Sequence, residues 1–112
     1  MAELVPIMPT APDDVIKRDT AAFVFRLYVA GEAPNSVLAL RNLKLICKTF
    51  YNNDWQIDVV DVLLSPERAW ADGVIVTPTV MRISPGSVVR IMGNLSDSEQ
   101  VLNALNLTVE NN

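Results

Sequence analysis

The chain contains no histidine and a single cysteine, Cys47, in 112 residues. Without imidazole, the usual neutral-pH base and the commonest metal ligand are missing. One thiol excludes an internal disulfide, a CxxC redox pair and a cysteine-based zinc motif. Basic residues are also scarce: nine Lys and Arg stand against thirteen Asp and Glu, for a formal net charge of −4, which gives nonspecific nucleic-acid binding little electrostatic support. No long hydrophobic run occurs either. Val59-Val60 and Val62-Leu63-Leu64, separated by Asp61, fall far short of the roughly 20 residues needed to cross a bilayer. The stretch Met1-Ala2-Glu3-Leu4-Val5-Pro6-Ile7 lacks the basic region and sustained apolar core of a secretion signal. These absences lead to the expectation of a cytoplasmic protein with no nucleic-acid or membrane partner, no cofactor and no enzymatic activity.

What is present is half hydrophobic by composition and sufficient for one modest domain. Residues 1–20 carry Pro6, Pro9 and Pro12 among scattered charges, which argues against regular structure and predicts a flexible N-terminal extension. Phe23-Val24-Phe25-Arg26-Leu27-Tyr28-Val29 is aromatic and β-branched, and its near-continuous apolarity predicts an interior strand covered on both faces. A Gly turn at Gly31 leads to Pro34-Asn35-Ser36, where Asn35 or Ser36 is expected to cap a helix. In that helix Val37, Leu40, Leu43 (or Lys44), Cys47 and Phe50 recur at helical spacing, with Arg41, Lys44 and Lys48 on the other side. Trp55–Val62 alternates as a second strand, parallel to the first through a right-handed crossover.

Ser65-Pro66-Glu67 predicts a short helix that Gly73 stops. Thr79–Ile83 and Val88–Met92 flank Ser84-Pro85-Gly86-Ser87 as an antiparallel hairpin. Ser96 or Asp97 is expected to cap a last helix carrying Val101, Leu102 and Leu105. The order β-α-β-α-β-β-α is that of the thioredoxin-like α/β fold, in a domain placed at residues 21–108 with a tail at 109–112.

The segment Leu27-Tyr28-Val29-Ala30-Gly31 followed by Pro34-Asn35-Ser36, with Asp61-Val62, Thr77-Pro78-Thr79, Pro85 and Arg90-Ile91 before Gly93, resembles the KaiB family over roughly residues 23–107. The resemblance implies a thioredoxin-like domain without the cysteine pair, with a cis peptide before Pro78. It also implies an alternative KaiB-type ground state, usually tetrameric, in which residues 62–107 are rearranged. It implies a noncatalytic regulator that binds a KaiC-type ATPase and modulates its cycle in a clock-like or stress-response system, and a homo-oligomer, dimer or tetramer. Val89-Arg90, Asn94, Leu38 and Asp58 depart from the charges of the clock proteins, which favours a cognate KaiC homologue over the cyanobacterial clock ATPase.

Arg82, Arg90, Tyr28 and Arg26 are the candidate partner contacts. The competing expectations are a solvated strand face or a salt bridge to Asp58 or Asp61 for the arginines, and core packing for Tyr28. Gly31, Pro34, Asn35, Pro78, Pro85 and Gly93 are the candidate fold-determining residues. Trp55 and Trp70 each suit either core or interface. Asp58 and Asp61, three positions apart on one strand, are expected on opposite faces and so do not form a catalytic pair. Two alternatives stand beside the regulator: a self-assembling structural or stress protein of this fold, and a thiol-dependent thioredoxin-like enzyme using Cys47. Cys47 is expected in the core, inside its helix and away from the helix N-terminus that would lower a thiol pKa.

Overall fold

The computed structural model describes residues 21–107; the expected N-terminal extension at 1–20 and the tail at 109–112 lie outside the described residues. Seven elements follow the expected order: β1 (Phe23–Val29), α1 (Pro34–Phe50), β2 (Trp55–Asp61), α2 (Pro66–Ala71), β3 (Thr79–Ser84), β4 (Val89–Met92) and α3 (Ser98–Ala104). They form a four-stranded sheet in the order β2-β1-β3-β4. β1 runs parallel to β2 in the register Phe23↔Trp55 to Val29↔Asp61. It runs antiparallel to β3, with a register shift between Val24 and Phe25, and β3 pairs antiparallel with β4. β1 is therefore an interior strand, as its continuous apolarity requires.

Alternation along β1 divides the molecule into two layers. Phe25, Leu27 and Val29 point to one face and pack with Ala39, Leu43 and Cys47 of α1, with Val101 of α3 and with Leu105 just past it. Tyr51, just past α1, joins this core: its ring stacks on Phe23 with centroids 3.9 Å apart and lies tilted to Phe25 at 5.9 Å. On the other face Tyr28 packs with Val60, Ala69 and Met81, under α2 and with Val62, Val74 and Ile83 beside them.

The long helix begins two or three residues earlier than expected. Pro34 is its first residue, where a fixed φ and a missing N–H carry no cost, and Ala33 precedes it without a side-chain cap. Asn35 and Ser36 are consequently inside the helix. The Ser36 hydroxyl instead accepts from the Ala30 amide at 3.1 Å, tying the helix to the end of β1. The buried stripe runs Ser36, Ala39, Leu43, Cys47, so the expected stripe is corrected at its start: Val37 is 54% exposed.

Ser65 precedes α2, which starts on Pro66; Gly73, at φ +69, follows its end. Of the two candidates before α3, Asp97 is the cap: its carboxylate accepts from the Gln100 amide at 3.2 Å. The Thr77-Pro78 bond is cis, as the family resemblance implied, and so is Ser84-Pro85, which was not expected. Among the described residues no helix is long and apolar enough to cross a membrane.

Candidate partner-binding surface

The loops at the C-terminal end of β1 converge on the Gly31 turn. Gly31 turns the chain at φ +53, and a Cβ there would stand 3.3 Å from the Leu63 side chain, so a side chain meets both backbone strain and crowding. The Gly31 amide donates to the Asp61 carboxylate at 3.0 Å, and the Leu63 amide donates to the same oxygen at 2.9 Å. Asp61 therefore organises a turn and stands apart from Asp58. Across this end, Asn94 donates its side-chain amide to Asn35 Oδ1 at 3.1 Å, and Asn42 donates to the Asn94 carbonyl at 2.9 Å. The Gly93 amide, in a residue at φ +107, donates to the Pro78 carbonyl at 2.9 Å. Gly31, Asn35, Pro78 and Gly93 thus take part in the contacts that join these loops, Pro34 opens α1, and Pro85 sits apart in the β3–β4 turn.

The contacts at this end of the described residues are structural hydrogen bonds. Cys47, the sole thiol, is fully buried in the middle of α1, and burial pushes its pKa up to about 12, far from a reactive thiolate. This removes support from the thiol-enzyme alternative. Among the described residues no group of three or more His, Cys, Asp and Glu side chains could hold a metal ion.

The four candidate contact residues separate into two places. Register puts Asp58, Arg26, Met81 and Arg90 in one row across the sheet, on the α2 face. Arg26 donates from Nε to Asp58 at 3.2 Å and from Nη1 to Asp72 at 3.1 Å. Arg68 of α2 donates to the same Asp58 oxygen at 2.8 Å. The Tyr28 hydroxyl lies between the Arg68 carbonyl, at 3.0 Å, and the Asp72 carboxylate, and Arg90 donates to the Asp72 carbonyl. Asp72, which the sequence reading did not single out, is thus the centre on which Tyr28, Arg26 and Arg90 converge.

The titration behaviour follows this geometry. The Tyr28 hydroxyl, then Arg26, hold the Asp72 carboxyl below its usual range, outweighing its partial burial. Burial, reinforced by the negative Asp72, raises the Tyr28 phenol. Burial opposes the Arg26 charge, but the hydrogen bonds to Asp72 and Asp58 outweigh it and raise the guanidinium pKa.

Arg82 lies on the opposite face, in register with Phe25 and Val89. It donates to the Ser87 carbonyl at 3.1 Å, and among the described residues its buried Nε has no hydrogen-bond partner. Tyr28 is fully buried, so in this fold it supports the sheet from within and offers a partner no surface; core packing is the expectation that held. Arg26 is engaged by two carboxylates, with Asp58, and not Asp61, as its salt-bridge partner on β2.

The sequence reading missed the most exposed apolar group. Leu63, Leu64, Trp70, Ile75 and Val76 all belong to the connection between β2 and β3, and Trp70 and Ile75 are 87% and 90% exposed. Trp55, by contrast, packs against the larger core, while Trp70 is left in solvent. Large apolar side chains presented to water from one segment make it the candidate protein-binding surface of the described residues. The signal available in the sequence was that Trp70, Ile75 and Val76 fit no helical or alternating stripe.

Comparison with known proteins agrees with this architecture. The KaiB domain family matches residues 26–107. The circadian clock oscillator protein KaiB of Nostoc punctiforme is 46% identical over 88 residues, covering 79% of this chain and 85% of that protein. Its counterpart in Picosynechococcus sp. is 44% identical over the same shares. Among solved structures, the N-terminal domain of Synechococcus elongatus SasA superposes with a TM-score of 0.63 at 21% identity, over 100% of both chains. Chloroplastic thioredoxin z gives 0.65 at 14% identity, over 83% of this chain and 84% of its own. At such identities these two likenesses speak to the fold alone, which is thioredoxin-like.

Proposed function

The chain belongs to the KaiB family, and from that premise we propose that it is a noncatalytic, clock-related regulator that binds a KaiC-type ATPase in the cytoplasm and modulates its cycle. The observation that carries this reading is the extended family match, joined to a surface with exposed apolar anchors and no reactive group. Aromatic and apolar anchors flanked by an arginine suit a desolvated protein interface. We place the contact on the β2–β3 connection, with Trp70 and Ile75 as anchors and the exposed Arg90 beside the Asp72 end of α2. The alternative arrangement of residues 62–107 belongs to the same proposal: it would take apart the Asp72 network, since Arg68, Asp72 and Arg90 lie within that range and Arg26, Tyr28 and Asp58 outside it.

Size-exclusion chromatography with light scattering tests the reading on the chain alone and mixed with KaiC homologues plus ATP or ADP. The expected result is a nucleotide-dependent complex with one homologue, formed from a dimer or tetramer, and weakened at least about tenfold by Trp70→Ala. An oligomer that ignores every homologue overturns it and moves the function to self-assembly through the same apolar segment.

A further inference from the structure

Asp72 is followed by Gly73, and that pairing is chemically vulnerable. An aspartate side chain places its carboxyl carbon within reach of the next residue's amide nitrogen, and a glycine there has no side chain to shield it. The fold demands this glycine, because residue 73 stands at φ +69 just past the end of α2. The requirement that stops the helix thus creates the vulnerable pair.

The folded arrangement holds the pair inert. Closing a ring between the Asp72 side chain and the Gly73 nitrogen requires Cβ to eclipse that nitrogen about the Cα–C bond. At ψ 3° the nitrogen of Asp72 itself is eclipsed, and Cβ is turned away. The Gly73 amide donates to the Trp70 carbonyl at 3.1 Å and the Val74 amide to the Ala69 carbonyl at 2.9 Å, which fixes that rotation. The carboxylate is drawn to the Tyr28 hydroxyl and to Arg26, which keep it ionised, whereas ring closure expels the hydroxyl of the neutral acid. All these restraints belong to the attachment of α2, a six-residue helix that buries only Ala69.

We propose that Asp72-Gly73 is a self-modification site, closed while α2 is docked and open when α2 leaves the sheet, at which the backbone isomerises to isoaspartate. In the open state the Gly73 nitrogen attacks Asp72 Cγ, a C–N bond forms, and the carboxyl hydroxyl leaves with the amide proton as water. Water then adds back to the succinimide. Opening at the Cγ carbonyl restores aspartate. Opening at the backbone carbonyl leaves the chain running through the side-chain carbon, with one extra methylene in the backbone and the carboxylate directly on Cα. That shortened carboxylate no longer reaches the Tyr28 hydroxyl and Arg26 with Gly73 in its place, so a modified molecule keeps α2 loose. The inference rests on the Asp72 network alone and is independent of any partner.

Incubation of the full chain at neutral pH tests it, followed by peptide mapping with electron-transfer fragmentation, which distinguishes isoaspartate from aspartate. A synthetic peptide of residues 66–77 is the unprotected reference. The expected result is isoaspartate at Asp72 that accumulates at least about tenfold more slowly than in the peptide and about 5–30-fold faster in Tyr28→Phe than in the unaltered chain. Arg26→Gln accelerates it as well, and in both variants Cys47 stays closed to a thiol reagent, which reports α1 in place. The modified fraction shows faster amide exchange in α2. Isoaspartate forming in the chain as fast as in the peptide overturns the proposal, because the fold would then guard nothing. So does a rate that neither substitution changes, or no isoaspartate in either variant once the peptide is fully converted.

Discussion

On one face of the sheet Phe25, Leu27 and Val29 meet Ala39, Leu43, Cys47, Val101 and Leu105 in a continuous apolar layer. On the other, the buried apolar residues around Tyr28 are Val60, Ala69 and Met81, and the layer is closed by Arg26, Asp58, Arg68 and Asp72. The 17-residue α1 is held by burial along its length, while the six-residue α2 buries only Ala69. The difference shows how one sheet combines a firm side with a side whose attachment is polar. Apolar burial is nondirectional and hard to undo locally. A hydrogen-bonded charge cluster is directional and depends on every partner being present. The exposed Leu63, Leu64, Trp70 and Ile75 all belong to the β2–β3 connection that contains α2.

Substitutions ranked by expected size test this contrast. Leu43→Ala, in the apolar layer, should cost about 2–5 kcal/mol in denaturant unfolding, because it removes a buried side chain and leaves a cavity. A loss below 1 kcal/mol would break the picture of that face as the main source of stability. Tyr28→Phe keeps the ring and removes only the hydroxyl between Asp72 and the Arg68 carbonyl. Its expected cost is about 1–2 kcal/mol, with faster amide exchange confined to α2 and its flanks; uniform acceleration over α1 as well would contradict a separate polar attachment.

Asp72→Asn should cost about 1 kcal/mol near neutral pH and should also reshape the acid limb of stability. Asp72 has a lowered pKa in the folded chain. Its contribution is therefore complete above the ordinary carboxylate range near 3.9 and is lost as pH falls through the lower folded value. The Asn variant should show a shallower acid slope, and an unchanged slope in urea melts from pH 5 to pH 2 would remove Asp72 from the network's centre. The smallest effect on stability is expected for Trp70→Ala, within about 0.5 kcal/mol, because an exposed side chain loses little packing. A loss above 2 kcal/mol would show that Trp70 is structural and withdraw it as an anchor.

The strand and helix order was legible because each element carries its own period or stop: the apolar run of β1, Ser65-Pro66 before α2, Gly73 after it, and the Ser84–Ser87 turn. The start of α1 was legible only to two or three residues, and its apolar stripe failed at Val37 alone. Leu40 and Phe50 do pack against the core, and only the exposed Val37 gives way, to the buried Ser36 one position before it. Asp58 and Asp61 were separated correctly by the two-residue period of a strand.

Asp72 escaped notice for a different reason. Its partners lie 44 and 46 positions away, at Tyr28 and Arg26, and no local pattern encodes a meeting that the sheet and α2 create together. Arg82 and Arg90 looked equivalent along the chain, whereas the hairpin pairs Arg82 with Val89 and Met81 with Arg90. The two arginines therefore point to opposite faces.

Because Cys47 is the chain's only thiol and lies fully buried among the α1-side residues, the molecule contains its own stopwatch. A thiol-reactive dye added in excess can mark Cys47 only during an excursion that lifts α1 from the sheet, and each marked molecule counts one such event. Departures of α2 leave Cys47 covered and pass uncounted. A single colour change therefore times the opening of one face while remaining blind to the other, without an engineered label and without disturbing the surface on which a partner would act.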